Sequence, residues 1–289
     1  MDKTKPMLFK FKNRSLSCDG RTYIVGIANV TPDSFSDGSK YPTPGSAVKH
    51  CIELLDSGAD IIDIGGESTR PGAESVDAEE ELRRILPVIC ELRRLRGEAV
   101  ISVDTMKSEV AEKALSAGAD IINDVSALRN SQDMAKVIAE HDAGVILMHM
   151  RGNPKTMQSN LDYADLVGEI NSFLSDSIGM ALKAGINIEN TAVDPGIGFG
   201  KSQEQNIRII SEIERFRESG RPLFAGPSRK AFIGNILGGI PAAERAWGTA
   251  GAFAYLAMKR TDFIRVHDVR EMSQMLKVLN EMEKGRFRV

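Results

Sequence analysis

Asp104, Asn123 and Asp194 are acceptor side chains that stand at the ends of short apolar runs in a chain of 289 residues. Carboxylates and an amide oxygen that leave water must be met by hydrogen-bond donors, so this set suits a ligand rich in N–H groups. Lys230, Arg265, His267 and Arg70 supply positive charge that the same ligand would meet if all opened on one mouth. Acceptors deep in a pocket and cations at its edge fit a polar heterocycle carrying an anionic tail. Two further segments stand out. Residues 29–39, Asn-Val-Thr-Pro-Asp-Ser-Phe-Ser-Asp-Gly-Ser, hold carboxylates and a Phe among turn formers. Residues 65–73, Gly-Gly-Glu-Ser-Thr-Arg-Pro-Gly-Ala, place hydrogen-bonding side chains between glycines. Glycine permits movement, and mobile loops on a rigid scaffold often serve as lids. Taken singly, either loop is equally explained by turn chemistry.

The groups need elements to position them, and a recurring pattern provides these. Tyr23–Ala28 ends in Asn29, Ile61-Ile62 in Asp63, Val100–Val103 in Asp104, and Ile121-Ile122 in Asn123. Val145–Met148 ends in His149 and Thr191–Val193 in Asp194; Pro222–Ala225 leads to Ser228-Arg229-Lys230, and Phe263-Ile264 to Arg265-Val266-His267. These are eight runs, about thirty residues apart. If each is a parallel strand followed by a helix, the polar ends surface together on the rim where a (β/α)8 TIM barrel builds its active site. Residues 57–63, Ser-Gly-Ala-Asp-Ile-Ile-Asp, resemble residues 117–123, Ala-Gly-Ala-Asp-Ile-Ile-Asn, at a distance of two such units. In both, a helix ends in Gly and a buried strand begins at once. Helical periodicity fills residues 46–55, 78–95, 107–116, 132–141, 161–184, 203–217, 242–259 and 270–283. Residues 8–22 read as a short hairpin turning at Asp19-Gly20 and plugging the N-terminal end of the barrel. The expected organisation is one domain, residues 1–289, with residues 1–22 as an N-terminal extension and long loops after the first two barrel strands.

Bulk properties exclude several classes. A net charge of −3 gives no reason to expect nucleic acid or an anionic membrane as a bulk partner. No apolar run approaches the roughly 18 residues of a membrane span, and residues 1–6 lack the apolar core of a secretory signal. Cys18, Cys51 and Cys90 are odd in number and unclustered, which points to reduced thiols and a cytoplasmic setting. Residues 194–201, Asp-Pro-Gly-Ile-Gly-Phe-Gly-Lys, lack both the Walker spacing and a dinucleotide fingerprint. His50 and His141 lie on helical stretches without metal-spaced partners. His149 follows a strand and can orient residues 150–152, while Lys201 is expected to be exposed.

With these features the chain closely resembles the dihydropteroate synthases, the pterin-condensing enzymes of folate biosynthesis. The resemblance runs from about residue 24 to residue 268 and rests on residues 29–38, 63–73, Asp104-Thr105, 123–125, 148–152, 194–200, Ser228-Arg229-Lys230 and Arg265-Val266-His267. Any one segment is weak, whereas all of them in order are specific. One departure is Ser39, where the family carries a second glycine after the first loop.

The resemblance implies a Mg2+-assisted transferase that joins 6-hydroxymethyl-7,8-dihydropterin diphosphate to 4-aminobenzoate, releasing 7,8-dihydropteroate and diphosphate. By position, Asp104, Asn123, Asp194 and Lys230 would bind the pterin, with Arg265 over its face and Met148 and Phe199 as apolar walls. Asn29 would help hold Mg2+, and Thr69, Arg70, Arg265 and His267 would cradle the diphosphate. Phe35, Thr69, Pro71, Ser228 and Lys230 would shape the aminobenzoate site. Asp37, Lys230 and Arg70 would act on the reacting groups, with Asp37 stabilising a cation formed by dissociation. A homodimer through the C-terminal helices is implied as well. Two alternatives share the barrel and pocket: a corrinoid-type pterin-binding methyltransferase and a non-catalytic pterin-binding barrel. The methyltransferase would not need the anion cradle or the Ser-Arg-Lys segment, and the non-catalytic barrel would be signalled by loss of Asn29, Lys230, Arg70 or a loop Asp, none of which is lost.

Overall fold

A computed structural model describes residues 7–31, 43–69 and 72–286. Strands β3 (Tyr23–Asn29), β4 (Ile61–Gly65), β5 (Val100–Asp104), β6 (Ile121–Asp124), β7 (Gly144–Met148), β8 (Thr191–Asp194), β9 (Phe224–Ala225) and β10 (Phe263–Val266) form one parallel sheet. It follows chain order from β3 to β8, and β10 joins β3 to β9. A parallel bridge between Val193 and Leu223 brings β8 to β9 and rounds the sheet into a barrel. The expected (β/α)8 architecture is therefore present.

Alternation along each strand divides the core in two. Ile24, Ile62, Ile64, Ile101, Val103, Ile122, Val145, Leu147, Val193 and Ile264 face outward and pack in one cluster with the helices. Val25, Ile61, Val100, Ile121, Ile146, Ala192, Phe224 and Phe263 form a second cluster inside the barrel. The side-chain period of two then turns Asp63, Asp104, Asn123, Met148, Asp194 and Arg265 inward as well, above that apolar floor. A polar site on top of a dry plug follows directly.

The floor is completed by the N-terminal hairpin of β1 (Leu8–Phe11) and β2 (Arg14–Ser17), whose Phe9 and Phe11 are fully buried in the inner cluster. The expected turn at Asp19-Gly20 is incorrect. Phe11 pairs with Arg14, so the turn is Lys12-Asn13, with Lys12 at φ 50°. Two distant contacts hold it: the Lys12 backbone N–H donates to the Asp142 carbonyl at 2.6 Å, and Lys12 Nζ donates to the Ala119 carbonyl at 2.6 Å. Tertiary anchoring supplies what a glycine would otherwise supply.

The helices are α1 (Pro44–Asp56), α2 (Ala78–Leu95), α3 (Ser108–Ser116), α4 (Met134–Glu140), α5 (Leu166–Lys183), α6 (Gln203–Ser211), α7 (Ala231–Ile236), α8 (Ala246–Met258) and α9 (Val269–Arg286). Each expected helical stretch overlaps one of them. Asp77 caps α2 by accepting from the Glu80 N–H, and Ser202 and Gln205 form a reciprocal capping box on α6. The stretch expected to be helical to residue 217 breaks after Ser211 into a 3-10 segment, Ile213–Ser219. Helix α7 was not anticipated, because six residues are too short for a periodic signal. No helix among the described residues is long and apolar enough to cross a membrane.

Candidate active site

Strand register assembles the rim. Asn29 pairs with Gly65, Gly65 with Asp104, and Asp104 with Asn123, so four neighbouring strands present one row. On the far side Met148 pairs with Asp194. Asp104, Asn123, Met148, Asp194, Phe199, Lys230 and Arg265 line one cavity of about 320 Å³ including its open mouth. All seven residues expected to bind the heterocycle thus come together, although they span most of the chain.

Electrostatics inside are those of a crowded, buried site. Arg265 donates through Nε to Asp63 Oδ2 at 2.5 Å and through Nη2 to Asp104 Oδ2 at 2.9 Å. Asn123 Nδ2 donates to the same Asp63 oxygen at 3.1 Å. The other oxygens, Asp63 Oδ1 and Asp104 Oδ1, are buried with no hydrogen-bond partner among the described residues. Asp194 Oδ1 accepts from the Gly196 N–H at 2.7 Å. Burial pushes Asp104 up to about 7 despite Arg265, and pushes Asp194 up to about 6 against the Gly196 hydrogen bond and nearby lysines. Donors on a ligand would relieve both. Lys230 Nζ lies 3.9 Å from the centre of the Phe199 ring, within cation–π range.

Residues 195–200 reverse the chain across the mouth through Gly196, Gly198 and Gly200, all left-handed. Gly196 has no alternative: a Cβ there would sit 1.9 Å from the His149 carbonyl oxygen. This reversal corrects the expectation for Lys201, which is only 3% exposed. Its Nζ donates to the Phe199 carbonyl at 2.8 Å and the His149 carbonyl at 3.2 Å, and meets His149 Nδ1 at 2.9 Å. Burial and the neighbouring Lys201 pull His149 down to about 2, so a neutral imidazole accepts that hydrogen bond. His149 and Lys201 together pin the segment that carries Phe199.

Opposite, Ser228 Oγ accepts from the His267 backbone N–H at 3.1 Å and lies 2.9 Å from its ring Nδ1. Between Ser228 and Lys230, Arg229 takes φ 56° and points away. It forks onto Asp268, and its own N–H donates to Thr249 Oγ1 at 3.0 Å. Arg229 builds the turn that aims its neighbours.

Thr69 is half-buried at the end of the described part of the second loop. Phe35, Asp37, Arg70 and Pro71 lie outside the described residues. The root of the second loop is held firmly. Arg84 donates to the Gly66 carbonyl at 2.7 Å, and Lys107 bridges Glu67 and the buried Glu81. Sequence reasoning missed Glu67, Lys107 and Glu81, and it left Asp63 without a role. For Asp63 the signal existed, because it ends a strand like the others.

Asn29 is half-buried at the C-terminal end of β3, opposite Gly65. Among the described residues no three His, Cys, Asp or Glu side chains converge as a metal cage. An amide oxygen is a hard ligand of the kind Mg2+ takes. Burial pushes the Cys18 thiol up, and Cys51 up to about 12, so neither supplies a thiolate nucleophile.

Fold and pocket together define a (β/α)8-barrel enzyme with a preformed polar site for a small molecule at the C-terminal ends of its strands. Residues 25–267 match the pterin binding enzyme family. The chain is 46% identical over 262 residues to a dihydropteroate synthase of Synechocystis, covering 91% of this chain and 90% of the relative. The Xanthomonas albilineans dihydropteroate synthase solved with 4-aminobenzoic acid is 41% identical, with a TM-score of 0.89 over 96% of this chain and 99% of that one. The same enzyme solved with 7,8-dihydropteroate gives 39% identity and a TM-score of 0.84, over 96% and 98%. The chain belongs to the pterin-binding enzymes and, among them, to the dihydropteroate synthase family, a family of transferases.

Proposed function

We propose that the protein condenses 6-hydroxymethyl-7,8-dihydropterin diphosphate with 4-aminobenzoate to give 7,8-dihydropteroate and diphosphate. The observation that carries this reading is the meeting of Asp104, Asn123 and Asp194 with Lys230 and Arg265 in one cavity. The acceptors receive the pterin N–H groups, Met148 and Phe199 cover its faces, and Arg265 and Lys230 keep the buried charge balanced. The C–O bond from the exocyclic methylene to diphosphate breaks, its electron pair leaving with the oxygen. The amine nitrogen then forms the C–N bond and gives its proton to solvent. A neutral aromatic amine needs no strong base. Asn29 would hold Mg2+, which would neutralise charge on the leaving diphosphate. Thr69, Arg70, His267 and Arg265 would bind the same anion, and Asp37 would stabilise the methylene cation while Phe35, Pro71 and Ser228 shape the amine's approach. Incubating purified protein with both substrates and Mg2+ should yield dihydropteroate and diphosphate in equal amounts; absence of both sinks the proposal.

The raised carboxylates make a separate prediction. A pterin donating to Asp104 and Asp194 favours their ionised forms, so binding should release protons where these groups are still partly protonated. At about pH 6 that is about one proton or slightly more, falling to near zero at about pH 8.5. Affinity should therefore rise with pH through this window. Calorimetric titrations in buffers of different ionisation heat measure the release directly, and a value near zero at the lower pH would remove these carboxylates from the contact.

We infer a homodimer built on α7 and α8. Trp247 is 87% exposed, and Ile236, Leu237, Tyr255 and Met258 are exposed near it in the chain. A Trp so placed is a typical interface anchor, worth about 2 kcal/mol or more. Trp247→Glu should therefore weaken self-association at least about thirtyfold. Sedimentation equilibrium at micromolar protein should show monomer for the variant and dimer for wild type; identical behaviour would place the interface elsewhere. The free cysteines and small net charge accord with a cytoplasmic enzyme of small molecules.

A further inference from the structure

Asp63 is fully buried and does not line the cavity, yet its Oδ2 accepts from two residues that do. Arg265 Nε lies 2.5 Å from that oxygen and Asn123 Nδ2 lies 3.1 Å from it. A carboxylate oxygen that already serves a guanidinium offers acceptor capacity only. Asn123 must therefore turn its NH2 toward Asp63, which leaves its carbonyl oxygen for the cavity. The reverse orientation would set an amide oxygen against a carboxylate oxygen with no proton between them. Asp63 also takes one edge of the Arg265 fork while Asp104 takes the other, so the guanidinium plane is held from two strands.

We propose that Asp63 is the specificity-determining positioning residue of this pocket. By locking the polarity of the Asn123 amide, it selects a bicyclic heterocycle that presents an amino donor over one that presents a carbonyl at the same place. The inference rests on reading the cavity as the pterin site. An asparagine at 63 would keep the lock, because Arg265 Nε would hold its amide oxygen where Oδ2 now stands. A leucine at 63 would be of similar size and offer no acceptor, so Asn123 would become free to turn either end to the ligand, and selectivity would fall.

The test compares 6-hydroxymethylpterin with 6-hydroxymethyllumazine, in which a carbonyl replaces the 2-amino group, by calorimetric titration of wild type and Asp63→Leu. Wild type should prefer the pterin, and the ratio of the two dissociation constants should fall about tenfold in the variant, the amount expected for one mismatched buried hydrogen bond. A merely structural role would weaken both ligands by the same factor, and an unchanged ratio overturns the proposal. Failure of wild type to bind the pterin overturns the pterin reading itself, which separates the two failures. If Asp63→Leu does not fold, the side-chain amide of Asn123 is followed by NMR in wild type, assigned by its loss in Asn123→Ser. Exchange at least about tenfold slower than for exposed asparagines supports the lock, and exchange at the exposed rate refutes it.

Discussion

Replacing Arg265 by methionine is expected to destabilise the fold by about 3–5 kcal/mol above neutral pH, because it strands two buried carboxylates. Asp63 and Asp104 are 0% and 6% exposed in their side chains, and Arg265 is the cation both contact. Burial already pushes Asp104 up to about 7 with the guanidinium in place, and its removal pushes the group further. The sign of the pH dependence follows. Carboxyl groups whose folded value lies above the unfolded one bind more protons when folded, so their contribution is present at low pH and is lost as pH rises. The loss should accordingly be smaller near about pH 5, where Asp104 takes up a proton, and should approach its full size near about pH 8. Urea unfolding of wild type and variant at the two pH values measures it. An equal loss at both would mean that Arg265 acts by packing and not as the shared cation.

Lys230→Ala should lower kcat/KM by about 10²–10³, the range found when one preorganised charge is removed from a dry site. In the proposed reaction Lys230 serves both the pterin and the incoming amine. Its position explains why the fold should survive. The side chain is half-buried, and its ammonium lies over the Phe199 ring, a contact worth about 0.5–2 kcal/mol. Circular dichroism and melting should therefore stay close to wild type while diphosphate release collapses. Turnover within a few-fold of wild type would take Lys230 out of the reaction. Arg70→Lys should also be costly, because a point charge cannot replace a planar fork on diphosphate.

The amino-acid order alone determined the strand that carries each rim residue, and hence which residues share the rim. All barrel strands run in one direction, so a polar residue that ends an apolar run must emerge at the same end as every other. Asp104, Asn123 and Asp194 were legible for that local reason, as was the family resemblance carried by their flanking segments. The pairing of those residues was not local. Asp63 and Arg265 are 202 positions apart, and only closure of β3, β4 and β10 around the axis makes them partners. Lys201 looked solvated because nothing in residues 194–201 shows that the glycine reversal folds it onto His149, 52 positions away. The hairpin turn at Lys12-Asn13 was missed for the same reason, since contacts to Ala119 and Asp142 stabilise a left-handed residue that local preference disfavours. Period and spacing are properties of neighbours in the chain, whereas charge balance, burial and the polarity of an amide are set by neighbours in space.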